Sequence, residues 1–191
     1  MIGVNPHRFS KAMTGFFRFI LLLIGVSALF IQRSDAHSSL IATYNVQKNS
    51  DSEWVLKISM PLGSLHMALL THHTEQELLP ETDRYNETLA IAYLKKYSVI
   101  TVNDSHDIEL DLKSVSLNNH QSNFTFQLEN VPSDVEKFKF YVPAMSENIG
   151  HVNIARVNGL GKRRKVVLNY KNDFTGSLIF NAESGSVLTG Q

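Results

Sequence analysis

The chain has 191 residues, no cysteine, and 18 basic side chains against 18 acidic ones, for a formal net charge of zero. Without cysteine there can be no disulfide, thiol catalysis, thiolate metal site or lipoprotein anchor, so stability must come from a core. A balanced charge gives no electrostatic case for a phosphate backbone, and nucleic acid is not an expected partner.

Residues 1–36 read as an export signal. Arg8, Lys11 and Arg18 form a basic region, Phe19 to Ile31 an apolar run, and Gln32-Arg-Ser-Asp-Ala36 a polar exit. Ser34 and Ala36 are small residues at the two positions that a signal peptidase reads. The apolar stretch falls short of the ~20 residues of a spanning helix. Cleavage after Ala36 is therefore expected, with an uncleaved anchor as the alternative. It would leave 14 basic and 17 acidic side chains on a mature chain that starts at His37. The expected address is the bacterial envelope, periplasmic or secreted, with no membrane insertion after cleavage.

Strand patterns follow. Leu40 to Val46 and Trp54 to Met60 alternate or run apolar around the turn-rich Lys48-Asn-Ser-Asp-Ser52, which predicts a hairpin. Gly63-Ser64 is read as the cap of a short helix from Leu65 to Leu70, and Leu89, Ala92 and Tyr93 recur at helical spacing within 86–97. A polar loop around Pro80 joins the two. Strands resume at Val99 to Val102, Ile108 to Leu117, Phe124 to Leu128 and Val135 to Val142. The Asn158-Gly-Leu-Gly161 turn marks a further hairpin, from Val152 to Val157 and from Arg164 to Tyr170. Ser177 to Phe180 closes the domain. Many short strands with a helical insertion predict an antiparallel β-sandwich, Ig-like, over 37–181, followed by a flexible tail at 182–191.

These segments resemble the DUF6702 family of exported bacterial proteins of unknown function. The resemblance rests on His37 with a strand behind it, Tyr93-Leu-Lys-Lys-Tyr97, Ile100-Thr-Val-Asn103, Asn148-Ile-Gly-His-Val-Asn-Ile154, Val157-Asn-Gly, Gly161-Lys-Arg and Phe174-Thr-Gly-Ser-Leu-Ile-Phe180. It implies an exported, mostly β domain of unassigned activity, often with a histidine soon after the signal. It carries no catalytic residues.

The sharpest chemistry starts at His37. A terminal histidine offers an α-amine and an imidazole to one metal ion, and a further histidine would complete an all-nitrogen set that suits Cu(II). His66, His72, His73 and His151 are the candidates for that further ligand. On a continuous helix, His66 and His73 would share a face. Met60 and Met67 could add thioethers but are commoner as core filler. No Gly-x-Ser-x-Gly or His-Glu-x-x-His motif marks a hydrolase, and Asp104, Ser105 and His106 read as turn chemistry. Lys162-Arg-Arg-Lys165 suits either an anionic partner or a solvated hairpin, and Trp54 reads as core. Two function classes result. The leading one is an exported, non-enzymatic binding or accessory domain that holds a metal ion, copper being the candidate, through the mature N-terminal His37 together with His66, His73 or His151. The competing one is a structural or protein-interaction domain of the envelope with no metal.

Overall fold

The computed structural model describes residues 40–49, 53–79, 86–118 and 120–180. The chain divides into the units Met1–Ala36 and His37–Gln191, and every described residue belongs to the second. His37, the expected export signal and the expected tail at 182–191 lie outside the described residues. No helix among those described is long and apolar enough to cross a membrane.

Strand β1 (Ile41–Lys48) sends Ala42, Tyr44 and Val46 inward and Thr43, Asn45 and Gln47 outward, the period-two pattern of a strand with one buried face. It pairs antiparallel with β2 (Trp54–Pro61), as the hairpin pattern predicts, with Thr43 opposite Ser59. Pro61 then caps α1 (Leu62–Leu69) from an extended conformation, its φ of −62° already set for the turn. The helix therefore begins before Gly63-Ser64, and those two residues lie in its first turn instead of capping it. It also ends before His72 and His73, so no continuous helix relates them to His66. A single turn, α2 (Glu75–Leu78), follows under a capping box made by Thr74 and Glu77. In α3 (Glu87–Lys96), Asn86 accepts the Leu89 N–H as the N-cap, and Ala90, Tyr93 and Leu94 are buried. Ala92, expected on the buried face, is exposed.

The remaining strands are β3 (Val99–Val102), β4 (His106–Asp107), β5 (Glu109–Leu117), β6 (Gln121–Glu129), β7 (Lys137–Tyr141), β8 (Val152–Asn158), β9 (Arg164–Leu168) and β10 (Thr175–Ile179). They form one six-stranded sheet, β5-β6-β2-β1-β8-β9, and one four-stranded sheet, β10-β7-β3-β4. The described chain is thus mostly β. The antiparallel expectation needs one correction: β1 and β8 run parallel, Ile41 beside Val152 and Val46 beside Val157. A parallel pair needs a long crossover, and nearly the whole domain lies between these two strands in sequence.

The two sheets share one core. Leu56, Ile58, Phe124 and Phe126 come from the larger sheet, and Ile100, Phe138, Phe140 and Leu178 from the smaller. Trp54 sits edge-on to Phe138 with centroids 5.3 Å apart, so it is core, as its apolar surroundings in sequence predict. A Cβ on Gly176 of β10 would lie 2.6 Å from a Val166 methyl and 2.8 Å from a Leu168 methyl of β9. Glycine there lets the sheets close at that corner.

Candidate functional site

The loop 142–151 joins β7 to β8. At its far end stands His151, 1% exposed. Two residues along, Asn153 also points inward, because alternate strand residues share a face. The Asn153 amide donates to the carbonyls of Val142 at 2.8 Å and Ala144 at 3.0 Å. Its nitrogen is thereby committed, and its Oδ1 faces His151 Nε2 at 3.0 Å. An oxygen there can only accept, so Nε2 carries the proton and Nδ1 is left as a bare lone pair. That Nδ1 is buried and has no hydrogen-bond partner among the described residues. Burial pushes the imidazole pKa below its ordinary value, against weaker opposing effects of the Asn153 hydrogen bond and the Glu147 charge. A neutral imidazole with one N–H held and the other nitrogen bare is the form in which histidine ligates metals.

His151 lines an open cleft of about 380 Å³ together with Ser146, Asn148, Ile149, Tyr170 and Phe174. Ile149 at its mouth is 96% exposed, and Tyr170 is also exposed. Gly150, at a φ of +82°, turns the chain between Ile149 and His151 and brings it against Leu40.

The loop is held from below by the helical insertion. Tyr93 of α3 donates to Glu147 Oε2 at 2.9 Å and accepts the Met145 N–H at 2.6 Å. Burial, chiefly, and the neighbouring Glu147 carboxylate raise the Tyr93 pKa, so the phenol keeps its proton. The other Glu147 oxygen takes a hydrogen bond from His72 Nε2 at 3.1 Å. The His72 ring stacks on Tyr97 with centroids 5.9 Å apart. Asn148 donates to the Ser64 carbonyl of α1 at 2.8 Å. Met145, at a φ of +63°, pays a backbone strain that these anchors maintain.

The other predicted ligands fare differently. His66 lies 3.3 Å from Glu75, and His73 lies 3.9 Å from Glu77. Among the described residues no three His, Asp or Glu side chains gather as a metal group. Met60 is buried core and Met67 is exposed. Ser105 bonds His106 at 3.0 Å in an exposed turn while Asp104 pairs with Lys137, which is turn chemistry and not a triad. Tyr93 and Glu147 were missed in sequence because 54 residues separate them. The His151–Asn153 pair had a signal: two polar residues at consecutive inward positions of a strand whose next two are Ala155 and Val157.

No protein-family model and no curated protein sequence matches the chain.

Proposed function

We propose that the mature chain is an exported, non-enzymatic binding domain of the bacterial envelope that holds a metal ion, copper, through His37 and His151. The observation that carries this reading is the bare Nδ1 of His151, buried and fixed in tautomer by Asn153. The register of β1 supports His37 as its complement. The Leu40 carbonyl accepts the Val152 N–H at 2.8 Å, right beside His151. His37 stands three residues before Leu40, a stretch of chain that reaches at most about 11 Å. An α-amine, the His37 imidazole and the His151 Nδ1 make three nitrogen donors, and Cu(II) favours such ligands. The carboxylates beside His66 and His73 give those two residues lesser claims. The resemblance to the DUF6702 family supports export and an unassigned activity. We likewise read the two facing sheets as an Ig-like sandwich.

The test is Cu(II) titration of protein starting at His37, of the same protein with one added N-terminal residue, and of His151→Ala. Losing even an outer-shell partner of a metal typically weakens binding roughly tenfold or more, so each change should cost at least that. Equal affinity in all three would rule the site out. The competing reading, an interaction domain without metal, draws on a different surface.

A further inference from the structure

The outward face of the six-stranded sheet is divided by charge and polarity in a way that strand register makes explicit. One row across it runs Thr125, Lys57, Asn45, Arg156, Lys165. The adjacent row runs Asn123, Ser59, Thr43, Ile154, Val167, and beyond it Ile41 lies beside Val152. On the β1-β8-β9 side, a cationic row therefore borders an apolar strip. Val167 is 43% exposed, and Ile41, across β8 and one row further on, is also exposed. The strands β1, β2, β8 and β9 contain no Asp or Glu. Arg156 and Lys165 stand directly opposite each other, a like-charge pairing that destabilises a sheet. Neither has an ion-pair partner among the described residues; Arg156 donates only to Asn45 Oδ1, at 3.4 Å. The β8–β9 turn adds exposed Lys162 and Arg163.

We infer that this face docks on an anionic lipid surface, with phosphate headgroups against Lys57, Arg156, Lys165 and the turn, and Ile154 and Val167 in the interfacial layer. The cations lie on one face of a sheet, and Lys57 to Lys165 spans three strand spacings, roughly 14 Å. An array spread across strands matches laterally spread headgroups better than one discrete anion. No aromatic side chain stands in either row to stack a base, which argues against single-stranded nucleic acid. The apolar strip supplies what headgroup attraction alone does not, since interfacial binding sums buried apolar area and charge. The inference is independent of the metal reading.

Co-sedimentation of the exported protein with phosphatidylcholine vesicles, with and without phosphatidylglycerol, tests it. Binding is expected only to the phosphatidylglycerol vesicles and should fall with added salt. Each basic residue near an anionic surface contributes about 1 kcal/mol, so Lys165→Gln should weaken partitioning about fivefold and Arg163→Gln/Lys165→Gln about 25-fold. Lys139→Gln, on the outward side of the other sheet, should leave it unchanged. These sites are exposed, and a thermal melt will confirm that the variants fold. Equal binding to neutral vesicles, or to both variants and the parent, would overturn the inference. So would displacement by inorganic phosphate at matched ionic strength, which would indicate a discrete anion site. Charge-dependent binding to polyglutamate with none to phosphatidylglycerol vesicles would also overturn it, in favour of an acidic protein partner.

Discussion

The histidines of the segment 66–73 and His151 have opposite chemistry. His66, His72 and His73 each face a carboxylate, from Glu75, Glu147 and Glu77 respectively. His151 is buried, donates one N–H to a side-chain carbonyl and keeps a bare nitrogen. The sequence offered all four as ligand candidates alike. What decides readiness for a ligand is the occupancy of each ring nitrogen, and that depends on Asn153, whose own amide is committed to two backbone carbonyls. A histidine beside a carboxylate gains a partner it can exchange with water; a histidine with a buried lone pair has no such exchange.

The largest expected effect that separates the two is on stability. His151→Ala removes a buried ring and leaves the Asn153 oxygen unpaired, at a cost of about 3 kcal/mol in urea denaturation. A loss below about 0.5 kcal/mol, the range of an ordinary surface change, would place His151 with the carboxylate-paired group. The pH dependence comes next. The folded-state pKa of His151 is depressed, so on acidification the unfolded chain binds the proton first. Its contribution is fully present above the ordinary value of 6.5 and is lost as pH falls below it. The slope from this one group can reach about 1.4 kcal/mol per pH unit, and comparing the parent with His151→Gln isolates it.

Smaller again is Glu147→Gln. The amide still accepts from Tyr93 or His72 but loses its charge, so about 1 kcal/mol of stability should go while the fold persists. His73→Ala should change stability by less than about 0.5 kcal/mol, since its Glu77 contact is long and exposed. A cost for His73→Ala equal to that for His151→Ala would erase the contrast altogether.

Much of the architecture was legible because it is local. The β1–β2 and β8–β9 hairpins follow from alternation and from the turn residues between their strands. Alternation also exposed the inward set of β7, Phe138 and Phe140. What could not be read is non-local. The parallel pairing of β1 with β8 depends on which strand edge remains open after all others pair. Thr74 and Glu77 did spell a capping box, and α2 went unrecognised because a single turn carries no periodicity. Proline at the entry to α1 mattered more than the Gly-Ser that looked like a cap. For the site, His151 was named from sequence, but its bare nitrogen follows from Asn153 holding two carbonyls of a loop. Tyr93 and Glu147 meet only through the packing of α3 under that loop.

The His37–His151 copper site is tested most directly by Cu(II) affinity measured on protein whose N-terminus has been verified as His37 by mass spectrometry. One copper should bind per chain, with affinity weakened roughly tenfold or more both by a single added N-terminal residue and by His151→Ala, and unchanged by His73→Ala. Affinity indifferent to the added residue and to His151→Ala would contradict it.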